Sequence, residues 1–190
     1  MKKCLIYIYL LLLTSLCCLQ AGAVSSEIRS LSVSDGLPDL VINTIYKDSK
    51  GYVWMGTNTS VERFDGIRLE HYMVEGSNEN LKRVFALVEM PGNELWVGTG
   101  MGLFRLADDA EKLERLAPEM ITSGVHAFCK LGDVLYVGTE KGLYVYKGGV
   151  FEHVLVDKNI FSRANFVTGM VEGENGILWL STMGGLKSLR

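Results

Sequence analysis

A short motif that recurs four times divides this chain into similar units. In each copy an aromatic residue is followed, two positions later, by Gly-Thr or, once, by Ser-Thr. The aromatic residues are Trp54, Trp96, Tyr136 and Trp179, which gives periods of 42, 40 and 43 residues. Repeats of about this length, each built around one aromatic, are typical of architectures that stack copies of a single supersecondary unit.

Each unit predicts four short antiparallel strands joined by tight turns. The alternating and β-rich stretches place strands at 42–46, 52–57, 61–64 and 68–73; at 84–88, 94–99, 103–106 and 113–116; at 125–129, 134–139, 143–146 and 151–156; and at 167–171, 177–182 and 186–189. The first turn of each unit has Gly, Asn or Asp at its second position, as a two-residue hairpin with positive φ requires.

Glycines and aromatics at repeated positions are interpreted as structural. The set contains Trp54, Trp96, Tyr136 and Trp179, the motif glycines Gly56, Gly98 and Gly138, and the later turn glycines Gly102, Gly142 and Gly185. A chemically special aromatic would not need to recur in every unit, whereas a core aromatic would, because each can bury ~150–250 Å² between sheets. Ser60 replaces the turn glycine in the first unit and departs from the pattern.

Four-stranded units of this kind predict an all-β chain of β-propeller blades, because a lone blade cannot cover both of its faces. The predicted blades span about 39–80, 81–123, 124–164 and 165–190, with 28–33 as a closing strand. That strand either completes a four-bladed ring or belongs to a larger ring of which this chain is a part, and the larger ring is favoured. A β-sandwich would repeat less regularly.

The N-terminal residues resemble a secretory signal peptide. Two lysines open the chain, an apolar run covers 4–19, and Ala-Gly-Ala follows at 21–23. We expect cleavage after Ala23, which would leave 24–190 outside the cytoplasmic membrane. An uncleaved anchor is the alternative, although the run is shorter than the roughly 20 residues that span a bilayer.

Composition and motif content argue against several functional classes. The net charge is −3, so the basic surface that grips nucleic acid is missing, and we expect no nucleic-acid contact. Three of the four cysteines lie in the leader, and His71, His126 and His153 are far apart in sequence. We therefore expect packed or solvated histidines, no metal and no cofactor. No catalytic motif is present, so we expect no catalysis by this chain.

A ligand is expected at one end of the blades. In an antiparallel blade, the loops between second and third strands share a face with the loops that lead into each first strand. The candidate ligand-binding residues on these loops are Asn58, Lys82, Arg83, Lys141, Arg163 and Asn165. Their amide, ammonium and guanidinium groups suit sugar hydroxyls or an acidic sugar.

The stretches at 28–38, 48–57 and 63–66, with the repeats at 96–103 and 136–143, resemble the two-component regulator propeller. The resemblance implies the periplasmic sensor region of a hybrid two-component histidine kinase that responds to oligosaccharides. It implies that this chain is an N-terminal fragment, because the family continues through two seven-bladed rings to a membrane helix and a kinase. The implied partners are an oligosaccharide, the remaining blades, the kinase modules and a second copy in a homodimer.

Two other functions remain open from the sequence. The chain could be a stand-alone secreted binding protein with a propeller fold, or a propeller-fold polysaccharide lyase or glycosidase. Three full blades and part of a fourth would leave open strand edges and an uncovered sheet face. We therefore expect a chain of this length to have poor solubility.

Overall fold

The computed structural model describes residues 28, 30–74 and 81–190, and its regular structure there is almost entirely strand. The first sheet contains β1 (Thr44–Lys47), β2 (Val53–Gly56), β3 (Val61–Phe64) and β4 (Leu69–Tyr72). The second contains β5 (Val84–Met90), β6 (Glu94–Thr99), β7 (Gly102–Leu106) and β8 (Glu114–Arg115). The third contains β9 (Val125–Leu131), β10 (Val134–Thr139), β11 (Gly142–Lys147) and β12 (Val150–Val154). The fourth contains β13 (Val167–Glu172), β14 (Leu178–Thr182) and β15 (Gly185–Leu189), and short 3₁₀ turns occur at Val33–Asp35, Arg163–Asn165 and Glu174–Gly176.

Every sheet is an antiparallel meander in which strands pair in chain order. The motif aromatic always lies in the second strand, opposite a residue of the first strand. Trp54 pairs with Tyr46, Trp96 with Val88 and Tyr136 with Cys129. Successive sheets therefore present the same positions on the same faces, as the repeat predicted.

The sheets pack face to face in chain order, with their first strands against one another: β1 contacts β5, β5 contacts β9, and β9 contacts β13. Three apolar clusters lie between them, and each contains one motif aromatic. Trp54 packs in the first cluster with Val84 and Val97 of the second sheet. Trp96 packs in the second, and Tyr136 borders the third. The predicted β-propeller blades are thus confirmed.

The motif glycine permits this close approach. A Cβ placed on Gly98 would lie 2.8 Å from Val125 Cγ1 of the next sheet, and one on Gly138 would lie 2.8 Å from Val167 Cγ1. Real Cβ atoms do not approach so closely, because close-packed interiors leave no room for an extra methyl group. The glycine of one unit therefore sets the distance to the valine that begins the next.

The threonine that follows pins the turn between the second and third strands. The Thr99 hydroxyl donates to the Gly102 carbonyl at 3.0 Å and accepts from the Met101 backbone N–H at 3.1 Å. Thr139 makes the same bonds to Gly142 and Lys141. The hydroxyl satisfies backbone groups that the turn withdraws from the ladder, which explains the recurrence of Gly-Thr.

The first unit differs at the turn, as the substitution of Ser60 suggested. The buried Ser60 hydroxyl donates to Glu62 Oε1 at 2.7 Å, and His71 Nδ1 lies 2.9 Å from the same oxygen. Glu62 is fully buried, at a position where the second and third sheets carry Phe104 and Tyr144. A buried carboxylate needs such partners, so Ser60 and His71 are structural.

Two predictions concern the N-terminal part of the chain: a strand at 28–33 and a signal peptide at 1–23. The predicted strand at 28–33 is wrong for the described residues, because 28 and 30–32 form no strand and Val33 begins a 3₁₀ turn. Ser32 caps that turn through Asp35, so the local polar bonds favour a turn over an extended chain. The predicted signal peptide at 1–23 lies outside the described residues, as do 75–80 of the first predicted blade.

Candidate functional site

A β-bulge lies near the start of the first strand in three sheets. In the second sheet Val84 pairs with Thr99 and Ala86 with Gly98, so Phe85 lies outside the ladder. His126 and Thr168 occupy the same position in the third and fourth sheets. A bulge redirects the side chain of its extra residue. The side chains of these three residues therefore do not follow the alternation of the core positions on either side of them.

Aromatic and cationic side chains line up beside these bulges. The Arg83 guanidinium lies 5.6 Å from the centre of the Phe85 ring. Phe85 and His126 have ring centres 4.2 Å apart, and His126 and Phe166 are 4.9 Å apart. We call this group the bulge arc and define it as Arg83, Phe85, His126 and Phe166 with the flanking Asn43, Asn58 and Glu140.

Amide groups fix the position of Arg83 at one end of the bulge arc. Arg83 Nε donates to Asn43 Oδ1 at 3.0 Å, and Asn43 Nδ2 donates to Asn58 Oδ1 at 3.1 Å. The Arg83 backbone N–H donates to the Asn58 carbonyl at 2.8 Å. Lys82 and Arg83 have φ values of 48° and 75°. Such left-handed backbone costs of order 1–3 kcal/mol per residue and tends to occur at functional sites.

A carboxylate lies at the other side of the bulge arc. Glu140 Oε1 lies 3.2 Å from His126 Nε2, and the His126 side chain is only 12% exposed, whereas that of Glu140 is 42% exposed. Gly124 keeps the space open, because a Cβ there would lie 2.8 Å from Glu140 Oε1. Glu140 thus orients the histidine while it keeps acceptor capacity towards solvent.

The structure brings together two of the six predicted ligand residues, Asn58 and Arg83. Lys82 is exposed beside Arg83, and Lys141 is exposed next to Glu140, with its Nζ 3.4 Å from Thr122 Oγ1. Arg163 is exposed in the 3₁₀ turn Arg163–Asn165.

Asn165 is placed differently from the surface position expected of it. It is buried, and its side-chain amide donates to the carbonyls of Asp157 and Asn159 while its Oδ1 accepts from the Asp157 backbone N–H. All three bonds stay within one loop. The amide therefore holds the loop in shape and has little capacity left for a ligand.

Phe85 and Phe166 were not predicted from the sequence, and His126 was not among the six candidate ligand residues. A signal was present. In the second, third and fourth sheets the first strand begins with valine, one variable residue and then alanine or glycine, at 84–86, 125–127 and 167–169. The small residue faces the motif Gly-Thr or Ser-Thr, so the variable residue between is the one that the bulge displaces.

The bulge arc has the chemistry of a binding surface. Aromatic faces pack against apolar ring faces, Arg83 and the amides donate hydrogen bonds, and Glu140 accepts them. Over the described residues, 28, 30–74 and 81–190, no group of three or more His, Cys, Asp or Glu side chains could hold a metal ion. In the same part of the chain, no helix is both long and apolar enough to cross a membrane.

A groove of about 610 Å³ lies elsewhere, at the outer edge of the first two sheets, and includes Arg63, Tyr72 and Lys50. Four of its charged side chains form two ion pairs: Arg63 contacts Glu70, and Lys50 contacts Asp108. Burial, helped by the hydrogen bond from the Tyr72 hydroxyl to Glu70, raises the pKa of Tyr72 to about 12. These mutual contacts point to a structural role for this groove.

The fold and the repeated sheets define a protein of the β-propeller class. The family model described as the two component regulator propeller matches residues 36–59, and the resemblance read from the sequence is confirmed over that segment. No curated protein matches the sequence.

Several solved structures share the fold. One is the extracellular domain of a protein described as the hybrid two component system BT3049 from B. thetaiotaomicron, with 22% identity, a TM-score of 0.71, and coverage of 85% of this chain and 25% of that one. Another is the corresponding domain of BT4673 from the same organism, with 22% identity, a TM-score of 0.67, and coverage of 79% and 20%. PorZ of Porphyromonas gingivalis, a surface component of the type-IX secretion system, has 17% identity, a TM-score of 0.67, and coverage of 88% and 28%.

This chain spans about a fifth to a quarter of the length of the two extracellular domains. At these identities the likeness concerns the fold.

Proposed function

We propose that this chain is part of the extracytoplasmic ligand-sensing propeller of a hybrid two-component sensor. The match of the two-component regulator propeller model at residues 36–59 carries the proposal. It is supported by the likeness to extracellular domains of proteins described as hybrid two component systems. In this proposal the leader at 1–23 exports the chain to the periplasm, and the histidine kinase lies in a separate module of the whole protein.

The same proposal gives the chain its partners. Further propeller blades, to a total of seven in the ring, would cover the outer face of the fourth sheet, where Trp179 is 38% exposed and Leu186 is 67% exposed. The kinase modules and a second copy of the whole protein would complete a signalling homodimer. A ligand that binds one arrangement of the two copies more tightly than another would shift the equilibrium towards that arrangement, and this shift would carry the signal.

The proposed ligand is a short oligosaccharide held at the bulge arc. Phe85 and Phe166 offer apolar faces for the C–H side of a sugar ring. Arg83, already oriented by Asn43, offers a fixed donor for a hydroxyl or a uronic acid carboxylate. His126 and Glu140 add a donor or acceptor beside the rings.

Calorimetric titration of the full chain with a panel of short oligosaccharides, neutral and uronic-acid-containing, tests this function. Arg83→Ala should weaken binding of the best ligand about 10- to 100-fold, because a charge-assisted bond is lost. The matched control is Arg68→Ala, an exposed arginine in the turn between β3 and β4, which should leave the affinity unchanged. Failure of every oligosaccharide to bind, or an equal loss in both variants, would overturn the proposed site.

A further inference from the structure

The repeat places an equivalent cleft between the first and second sheets and between the second and third. Each cleft lies beside the motif aromatic, on the side of the turn between first and second strands. The first interblade cleft, beside Trp54, has a volume of about 20 Å³. The second interblade cleft, beside Trp96, has a volume of about 360 Å³. Beside the motif aromatic, the first cleft is thus nearly filled and the second is open; the groove of about 610 Å³ adjoins the first cleft at Lys50, Arg63 and Asp108.

Charged side chains close the first cleft. The Arg63 guanidinium lies 4.7 Å from the centre of the Tyr52 ring and 5.6 Å from that of Trp54. Asp108 contacts Lys50 across the gap and accepts from Asn93 Nδ2 at 3.1 Å. The Lys50–Asp108 contact joins the two sheets, and Arg63 covers the aromatic rings of the first sheet.

The second cleft lacks a counterpart of the Lys50–Asp108 contact. Leu106 pairs with Leu95, and Tyr146 pairs with Leu135, so Gly148 occupies the place of Asp108. Arg105, the counterpart of Arg63, lies 3.1 Å from Glu114, just as Arg63 contacts Glu70. The two arginines are therefore held alike, and the second cleft remains open because the Asp108 carboxylate has no counterpart there.

The cleft combines an apolar floor with a polar rim. Trp96 and Tyr146 lie with ring centres 4.8 Å apart, and Leu135 is 2% exposed. The Trp96 indole N–H donates to Glu94, which leaves the second carboxylate oxygen of Glu94 as an acceptor. The Lys130 ammonium is held at the rim by the Glu89 carbonyl.

Charges of both signs lie at the rim. Glu94 lies 3.9 Å from Arg105, and Asp133 lies 3.5 Å from Lys147, while the Lys130 ammonium is held by a carbonyl. A charged ligand of either sign would meet a like charge here, whereas a neutral one could use the carboxylates as acceptors and the ammonium as a donor. The volume lies within the ~300–1,000 Å³ range typical of small-molecule sites.

We propose that the second interblade cleft binds a neutral ring-shaped polyol of one saccharide unit. Its apolar ring face would pack against Tyr146 and the edge of Trp96, and its hydroxyls would donate to Glu94 and accept from Lys130. This site is separate from the bulge arc, and it does not depend on the oligosaccharide proposed there.

Saturation-transfer NMR and tryptophan fluorescence titrations of the full chain with methyl glucoside test the inference. Glucosamine and glucuronate are the cationic and anionic counterparts. Methyl glucoside should bind, and each charged counterpart should bind at least about tenfold more weakly. Gly148→Asp restores the missing carboxylate at a φ of 58°, a backbone conformation that aspartate tolerates. It should weaken methyl glucoside binding about tenfold or more, as should Glu94→Gln.

Two controls separate this site from the rest of the molecule. Glu152→Gln alters an exposed carboxylate of β12 outside the cleft, and Arg68→Ala alters an exposed arginine between β3 and β4; both should leave methyl glucoside binding unchanged. Near-ultraviolet circular dichroism checks that each variant is folded. The inference is overturned if methyl glucoside does not bind, if a charged counterpart binds as tightly, or if folded Gly148→Asp and Glu94→Gln keep the parental affinity.

Discussion

The inner sheets and the fourth sheet use the same sequence motif in different surroundings. Trp54 and Trp96 are 5% and 3% exposed, because the following sheet covers each of them, whereas Trp179 is 38% exposed. Val61 and Leu103 are fully buried, while their counterpart Leu186 is 67% exposed. The contribution of the same motif to stability therefore depends on whether a neighbouring sheet covers it. The same substitution should then lower the free energy of unfolding by different amounts in different sheets.

The largest effect is expected for the motif aromatic. Trp96→Ala should lower the free energy of unfolding by about 3–5 kcal/mol, because it opens a cavity in a closed interface. Trp179→Ala should cost about 1 kcal/mol or less, because its ring is partly solvated. Urea denaturation followed by circular dichroism measures both, and equal costs would contradict the comparison.

The turn threonine should show the same contrast on a smaller scale. Thr99→Val leaves the buried Gly102 carbonyl and Met101 N–H without their partner, which costs about 1–3 kcal/mol. At the fourth sheet the exposed partners of Thr182 can bond to water, so Thr182→Val should cost less than about 1 kcal/mol. Thermal melts of the two variants measure these costs. A larger loss of stability for Thr182→Val than for Thr99→Val would contradict the comparison.

The two counterpart arginines sharpen the comparison between the interblade clefts. Arg63 lies over three aromatic rings, those of Tyr52, Trp54 and Tyr72. Arg63→Ala should cost about 1–2 kcal/mol, and Arg105→Ala, which breaks surface ion pairs, about 0.2–1 kcal/mol. High salt should reduce the second cost more than the first, and chemical denaturation at two salt concentrations tests this.

The smallest effect concerns the loop that leads into the fourth sheet. The Asn159 backbone N–H, followed by the Ser162 hydroxyl, lowers the pKa of Asp157 below its ordinary value of 3.8. The folded state therefore gains stability from this carboxylate above pH 3.8 and loses it as the pH falls through the lowered pKa. Asp157→Asn should flatten the pH dependence of unfolding below that pH. If the stability of the variant falls with pH below 3.8 as that of the parent does, other carboxylates, such as Asp65, determine the pH dependence of unfolding there.

The sequence predicted the fold well where local signals agree. Strands β3, β6 and β10 begin and end as the alternating pattern and turn residues indicate. The first strands run past their predicted ends, because the bulge adds a residue and so disturbs the period-two pattern. The strand at 28–33 fails because Ser32 and Asp35 form local side-chain bonds that compete with an extended chain.

The candidate site was less accessible to sequence reasoning. Arg83 and Asn58 were identified from loop position and residue type alone, and the structure joins them through a backbone hydrogen bond. Asn165 has the same residue type as Asn58, yet it turns inward to its own loop. Loop geometry decides between those outcomes, and no periodic pattern in the sequence encodes it.

The close approach of a motif glycine to the following valine has a consequence for how such chains can change in length. The second and third copies each bring both halves of the joint: a valine at the front, Val84 or Val125, and a glycine for the copy that follows, Gly98 or Gly138. Duplicating or deleting one whole copy in the gene would thus leave all joints matched. Growth and shrinkage by whole units would need no compensating substitutions, so the number of copies can vary more freely than the residues at the joint.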